Sequence, residues 1–481
     1  MLRTGVPKLL CFMLSAGLAN WTSAAPPPVT MVDVSDTGNQ QGLFDFLNGI
    51  NRSDALLGNM WGARNWLSRY GISFAVEETI EYLGNTSGGS KTGFEYDGLT
   101  QVLLQMDTQR AFGHYGGLIN VSLLNTHGNN LSANQLYSLQ AASGIEADLS
   151  IRLWEAWYDQ KFLDEDRLDV KVGQQSLDQE YMVSQNALYL INTLFGWPML
   201  PSADLPGGGP AYPLSVLGAR LAARPMDGIN ILAGVYNGTP VNNQSGDPQL
   251  SNAHGTSFPW GGGVLAITEI QWSYPALGSM VSPGDSQPLG WTYKLGAWYD
   301  SRSFNDLREN QFGQSLVDPA GNGAPRQHQG DYAVYVVMDQ LLWRDQKDPN
   351  HTLSAYARVM GTPLTDRNLI DFSMNAGLLM HSPFNYRTDD TFGLGIGYAH
   401  VSDQASLLDQ QTNQYNNSAL PIRSSETNVE LTYQYQLKPW IQLQPDVQYT
   451  INPGGGVVNP FNPSQRIGNE WVVGLRSNIN F

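Results

Sequence analysis

Segments of about ten residues in which apolar and polar side chains alternate strictly recur along this chain, and no other feature constrains its fold as much. From Thr427 to Leu437, Val429, Leu431, Tyr433, Tyr435 and Leu437 fall on one side, and Asn428, Glu430, Thr432, Gln434 and Gln436 on the other. A period of two belongs to an extended strand whose two faces meet different surroundings. The next segment repeats it with Ile441, Leu443, Val447, Tyr449 and Ile451 against Gln442, Gln444, Asp446, Gln448 and Thr450, after only Lys438 and Pro439. Past the N-terminal segment the longest apolar run is Tyr332 to Met338. A spanning helix needs about 20 such residues, so none fits.

Sixteen segments carry the pattern: 72–82, 99–108, 117–126, 149–162, 167–175, 215–224, 228–236, 263–274, 290–303, 331–343, 352–361, 370–380, 391–401, 427–437, 440–451 and 470–481. The odd-numbered connections between them are mostly long, reaching 39 residues from Ser176 to Leu214, and the even-numbered ones mostly short. Long loops at one end and tight turns at the other are the habit of an outer-membrane barrel, and a soluble sandwich has no reason for them. Tyr and Trp cluster at strand ends, the headgroup level of a bilayer. The last segment puts Trp471, Val473, Leu475, Ile479 and the terminal Phe481 on one face. In lipid every backbone polar group must be paired within the protein, so the strands must close. The expectation is an all-β fold, a 16-stranded antiparallel transmembrane β-barrel over residues 71–481, in the bacterial outer membrane, with the long connections outward.

The N-terminus reads as a secretory signal over residues 1–24: Arg3 and Lys8, the apolar run Leu9 to Leu18, then small residues up to Ala25. Cys11, the only cysteine, lies inside it, which excludes a disulfide framework and a Cys-based zinc site. Residues 25–70 form a leader in which Leu56, Leu57, Met60, Trp61, Ala63, Trp66, Leu67 and Tyr70 have the spacing of one short amphipathic helix. Packing on the periplasmic rim is expected of it. A formal charge of −17 argues against a nucleic-acid-binding surface. No Gly-x-Ser-x-Gly, His-Glu-x-x-His or phosphate-loop motif occurs, and the seven histidines stand apart in sequence, so no catalytic residue, cofactor or metal is expected.

Several strings resemble the carbohydrate-selective porins (OprB-like). They are Trp440 to Tyr449, Asn452-Pro453-Gly454-Gly455, Gly474-Leu475-Arg476, Leu153-Trp154-Glu155-Ala156-Trp157 with Val172-Gly173-Gln174, Ala211-Tyr212-Pro213-Leu214 leading into Gly218-Ala219-Arg220-Leu221, and Val337-Met338-Asp339-Gln340. The resemblance spans about Leu43 to Phe481 and implies a porin that admits sugars by passive diffusion. A general or ion-selective porin is the alternative. Recognition of a polyol calls for bidentate donors, carboxylates and aromatic rings. Strand alternation places Arg220, Arg224, Glu269, Lys294, Trp298, Asp300, Tyr356 and Arg358 on the lumen face, with Leu217, Leu221, Tyr299, Ala357 and Val359 toward lipid. The connection Ser176 to Leu214, which holds Asp204 and Gly207-Gly208-Gly209, is expected to bend inward near Arg220 and Arg224 and narrow the pore. The expected partners are carbohydrates, the lipid bilayer, the barrel-assembly machinery and, in a homotrimer, further copies of the chain.

Overall fold

The computed structural model describes residues 55–242, 246–275, 289–384 and 387–481. The expected signal peptide lies outside them. Sixteen antiparallel strands form one closed barrel. In chain order they are β1 (Ile72–Ser87), β2 (Gly93–Asp107), β3 (Gly117–Gly128), β4 (Ser150–Phe162), β5 (Leu168–Gln175), β6 (Val216–Met226), β7 (Ile229–Asn237) and β8 (Val264–Tyr274). There follow β9 (Trp291–Asn310), β10 (Pro325–Arg344), β11 (Thr352–Gly361), β12 (Ile370–His381), β13 (Thr391–Val401), β14 (Ser425–Lys438), β15 (Ile441–Ile451) and β16 (Glu470–Asn480). Each strand pairs with its chain neighbours, and β16 returns to β1 in a register running from Glu77↔Asn480 to Ser87↔Trp471. Among the described residues the barrel has no unpaired edge, which is the condition for standing in lipid.

The two faces are inverted relative to a soluble protein. Leu221, Val235, Leu295, Tyr299, Val359 and Leu431 are exposed outside, whereas Glu269, Glu430, Asp446 and Gln448 are buried inside. At the long-loop rim Tyr82 stacks on Phe94 and Tyr449 meets Trp471; at the short-turn rim Trp272, Trp291 and Tyr293 form a cluster with centroid spacings of 4.8 Å. These are the two aromatic girdles of a membrane barrel.

The strands depart from the expected bounds chiefly at the long-loop end. Pairing of β1 with β2 continues to Asn85↔Gly93, and β9 and β10 each run for 20 residues, so the connections there shrink to 88–92 and 311–324. The reason is physical: alternation records the lipid belt, and a ladder continued into water needs no apolar face. Near the N-terminus a 3-10 turn, Met60–Gly62, leads into a short helix, Ala63–Ser68. It sits beside the chain end, where Leu56 N donates to Asn480 O at 2.7 Å and the buried Arg64 guanidinium holds Gly58 O and Phe481 O.

Candidate functional site

The connection after β5 turns into the barrel. Leu177, Tyr181, Leu190, Leu194, Phe195, Trp197 and Leu200 are almost fully buried, packed with the inward wall residues Leu232, Tyr236, Trp298, Tyr335, Val337 and Tyr356. Its neck is tied where Leu177 N donates to Pro210 O at 2.7 Å and Tyr212 N to Asp178 Oδ2 at 2.8 Å. Burial pushes the Asp178 carboxyl up to about 7 against the hydrogen bonds it accepts from Ser176 Oγ and Tyr212 N. Trp197 Nε1 donates to Gly208 O at 3.0 Å. Gly209 has φ +83°, and a Cβ there would lie 3.3 Å from the Trp197 ring, so the indole seat requires glycine. Room on the opposite wall comes from the middle of the inward face of β13, where Gly393, Gly395 and Gly397 follow one another. A Cβ on Gly395 would come within 2.6 Å of both Leu190 and Phe195.

Charged wall residues hold this connection by its main chain. Arg358 donates to four carbonyls, those of Met182 (2.8 Å), Leu194 (2.7 Å), Phe195 (3.0 Å) and Gly196 (2.9 Å). Glu430 accepts from Ile191 N at 2.6 Å and Asn192 N at 2.8 Å. Glu269 accepts from Met182 N and from the Tyr335 hydroxyl, both at 2.8 Å, while Lys294 Nζ donates to Val183 O at 2.7 Å. Asp339 accepts from Ser184 Oγ at 2.6 Å and Asn186 Nδ2 at 2.9 Å. From the connection itself, Asp204 accepts from Leu369 N at 2.6 Å, and burial with Asp331 nearby holds its carboxyl well above the usual range. Buried main-chain groups are costly unless paired, and these side chains supply the partners that a strand or helix would have given.

The lumen-facing patch on β4, β5 and β6 is built differently. Asp159, Lys171 and Arg220 are direct neighbours across the three strands. Lys171 Nζ lies 4.4 Å from the centroid of the half-buried Trp157 ring and pairs with Glu180 of the inserted connection. Arg220 pairs with Asp169, and its Nε is 3.3 Å from Glu180. Elsewhere the half-buried amides Gln434, Gln436 and Gln442 bond to one another at 3.2 to 3.3 Å, and Asn478 joins Gln442 at 3.3 Å.

The expected lumen residues therefore separate into three groups. Glu269, Lys294, Arg358 and Asp204 clamp the inserted connection, and Tyr356, 1% exposed, meets Phe195 edge to face. Trp298 is 2% exposed within the same packing, and Asp300, beside it on β9, accepts from Arg302 N at 2.9 Å. Arg220 alone of this set belongs to the β4–β6 charge patch, where it and Lys171 are 6% and 8% exposed. Arg224 does not join it. It lies at the short-turn rim and donates to Glu165 O at 2.6 Å and Asp166 O at 2.9 Å. Alternation assigns a face and not a depth, and four residues displace a side chain by about 13 Å along a strand. Sequence reasoning missed Trp157, Lys171, Glu180, Asp339 and Glu430 as site residues. For the last two the signal was an inward carboxylate facing a long connection of good main-chain donors.

Comparisons with known proteins agree with this architecture. Residues 91–481 match the sequence profile described as carbohydrate-selective porin, OprB family. Porin B of Pseudomonas aeruginosa is 26% identical over 428 residues, covering 83% of this chain and 87% of that protein. The high-pH structure of Pseudomonas putida OprB, 21% identical, superposes with a TM-score of 0.76 over 90% of this chain and 99% of its own. The low-pH structure of the same protein gives 0.53. With the profile matched over most of the length, the chain belongs to the carbohydrate-selective porin family, OprB.

Proposed function

We propose that neutral carbohydrates cross this outer-membrane channel by passive diffusion and are discriminated where the β4–β6 wall meets the inserted connection. Family membership makes the protein a transport channel rather than an enzyme. The observation that carries the finer reading is the pairing of Lys171 and Arg220 with Glu180 beside the Trp157 ring. A guanidinium and an ammonium donate to hydroxyl oxygens, the carboxylates accept from hydroxyl hydrogens, and an indole face meets the C–H face of a pyranose. The amide-rich wall offers a second, uncharged set of donors and acceptors along the path. The same charges sort ions, which keeps a general or ion-selective porin as the second reading.

Sugar-dependent block of single-channel current separates the two. In Arg220→Ala the sugar concentration for half-block is expected to rise several-fold and the ion preference to shift, whereas Arg224→Ala leaves both as in the wild type. A wild-type channel whose current no sugar alters would favour the general porin. Insertion by the barrel-assembly machinery through β16, and association as a homotrimer, complete the proposal; cross-linking of the protein in native membranes tests the second.

A further inference from the structure

We infer that the outer end of the barrel carries a site for a divalent cation of the zinc class, built by Asp306, His328 and Asp366. The histidines stand apart in sequence, but folding brings His328, on the extended part of β10, against Asp306 on the extended part of β9 and Asp366 in the connection 362–369. Nε2 of His328 lies 2.8 Å from Asp306 Oδ2 and 3.5 Å from Asp366 Oδ2. The donor atoms of all three residues lie within 4.8 Å of one another, a grouping found nowhere else among the described residues. Two ligands about 2.0–2.1 Å from a metal stand about 2.9 Å apart at a right angle and about 3.3 Å apart at the tetrahedral angle. The two spacings from His328 bracket those values, and the two carboxylates lie within 4.8 Å of each other, close enough to draw together on an ion.

The donor set points to the class of metal. One imidazole nitrogen with two carboxylate oxygens suits zinc and its neighbours, whereas calcium and magnesium take all-oxygen shells. Asp306 is already oriented as a ligand, because its Oδ1 accepts from Arg308 N at 2.8 Å and Glu309 N at 2.7 Å, which turns Oδ2 to the ring. Arg367 braces Asp366 at 2.8 Å on Oδ1 and 3.2 Å on Oδ2, and so neutralises one carboxylate of the two. Arg308 and Arg326 are turned to Glu309 and do not compete. Asp306 is buried, while the Asp366 side chain is 37% exposed and leaves a route from outside. The ion would staple three segments that already touch, since Leu307 N donates to Asp366 O at 2.7 Å. Three residues beyond Asp366, Leu369 N bonds Asp204 of the inserted connection, so the staple also braces the constriction.

The test uses full-length protein without a histidine tag, purified in detergent and stripped with EDTA. Titration with Zn²⁺ by calorimetry, and with Co²⁺ by visible absorption, is expected to show one equivalent bound and a d–d band from a nitrogen–oxygen site. His328→Ala and Asp306→Asn should each weaken binding at least tenfold while the barrel stays heat-modifiable. Asp366→Asn, at the exposed edge, provides the same test should either of those fail to assemble. Absence of saturable binding to the wild type, or unchanged affinity in the variants, would overturn the assignment.

Discussion

Arg358 shows what a single charged side chain does inside this barrel. Its guanidinium meets four main-chain carbonyls, and each left unpaired would cost about 1–3 kcal/mol. Arg358→Met, which keeps bulk but no donor, is therefore expected to free the 182–196 stretch, raising single-channel conductance and open-channel noise while the barrel still inserts. Asp178 makes the second prediction at this scale. Its carboxyl is raised from its ordinary value to about 7 by burial, so the tied neck is most stable when the group is protonated, below about pH 4. That contribution is lost as pH rises through about 7. Open-channel noise should grow between pH 5 and pH 8 in the wild type and change less in Asp178→Asn; equal growth in both would remove Asp178 from the explanation. Residue roles of this kind were only half legible in the sequence. Alternation put Glu269, Lys294 and Arg358 on the inward face, but nothing local says that a connection far upstream in the chain will supply their partners.

Among the elements, all sixteen strands were legible, because a face toward lipid and a face toward the lumen impose a period of two that single residues cannot disguise. Strand ends above the belt were not, since water imposes no such period. The glycines of β13 are the informative case. Gly393, Gly395 and Gly397 occupy the inward, normally polar positions, and an inward face without side chains is a vacancy that another element must fill. Gly395→Val would drive new methyl groups into Leu190 and Phe195. The expected result is a displaced connection, with altered conductance, weaker sugar block and faster proteolysis within 176–215; an unchanged channel would show that β13 is not the seat of the connection.

At the scale of the molecule, closure depends on the two ends of the barrel meeting. Phe481 N donates to Val76 O at 2.9 Å, and Arg64 from the N-terminal helix holds the carbonyl of the same residue. Deleting Phe481 removes both contacts and is expected to lower the amount of heat-modifiable barrel in the outer membrane several-fold, with export across the inner membrane unaffected; full levels would separate closure from the terminal residue. The way the inserted connection is gripped has a consequence of another kind. Arg358, Glu430 and Lys294 hold it by amide N–H and C=O groups, which nearly every amino acid carries. Apart from the side chains that pack on the wall or bond to it, such as Leu190, Phe195, Ser184 and Asp204, the residues of the connection carry no duty of attachment. Selection, or a protein engineer, is free to rewrite those remaining positions and retune what passes while the wall and the packed anchors stay the same, so the constriction behaves as a partly exchangeable cassette in a constant frame.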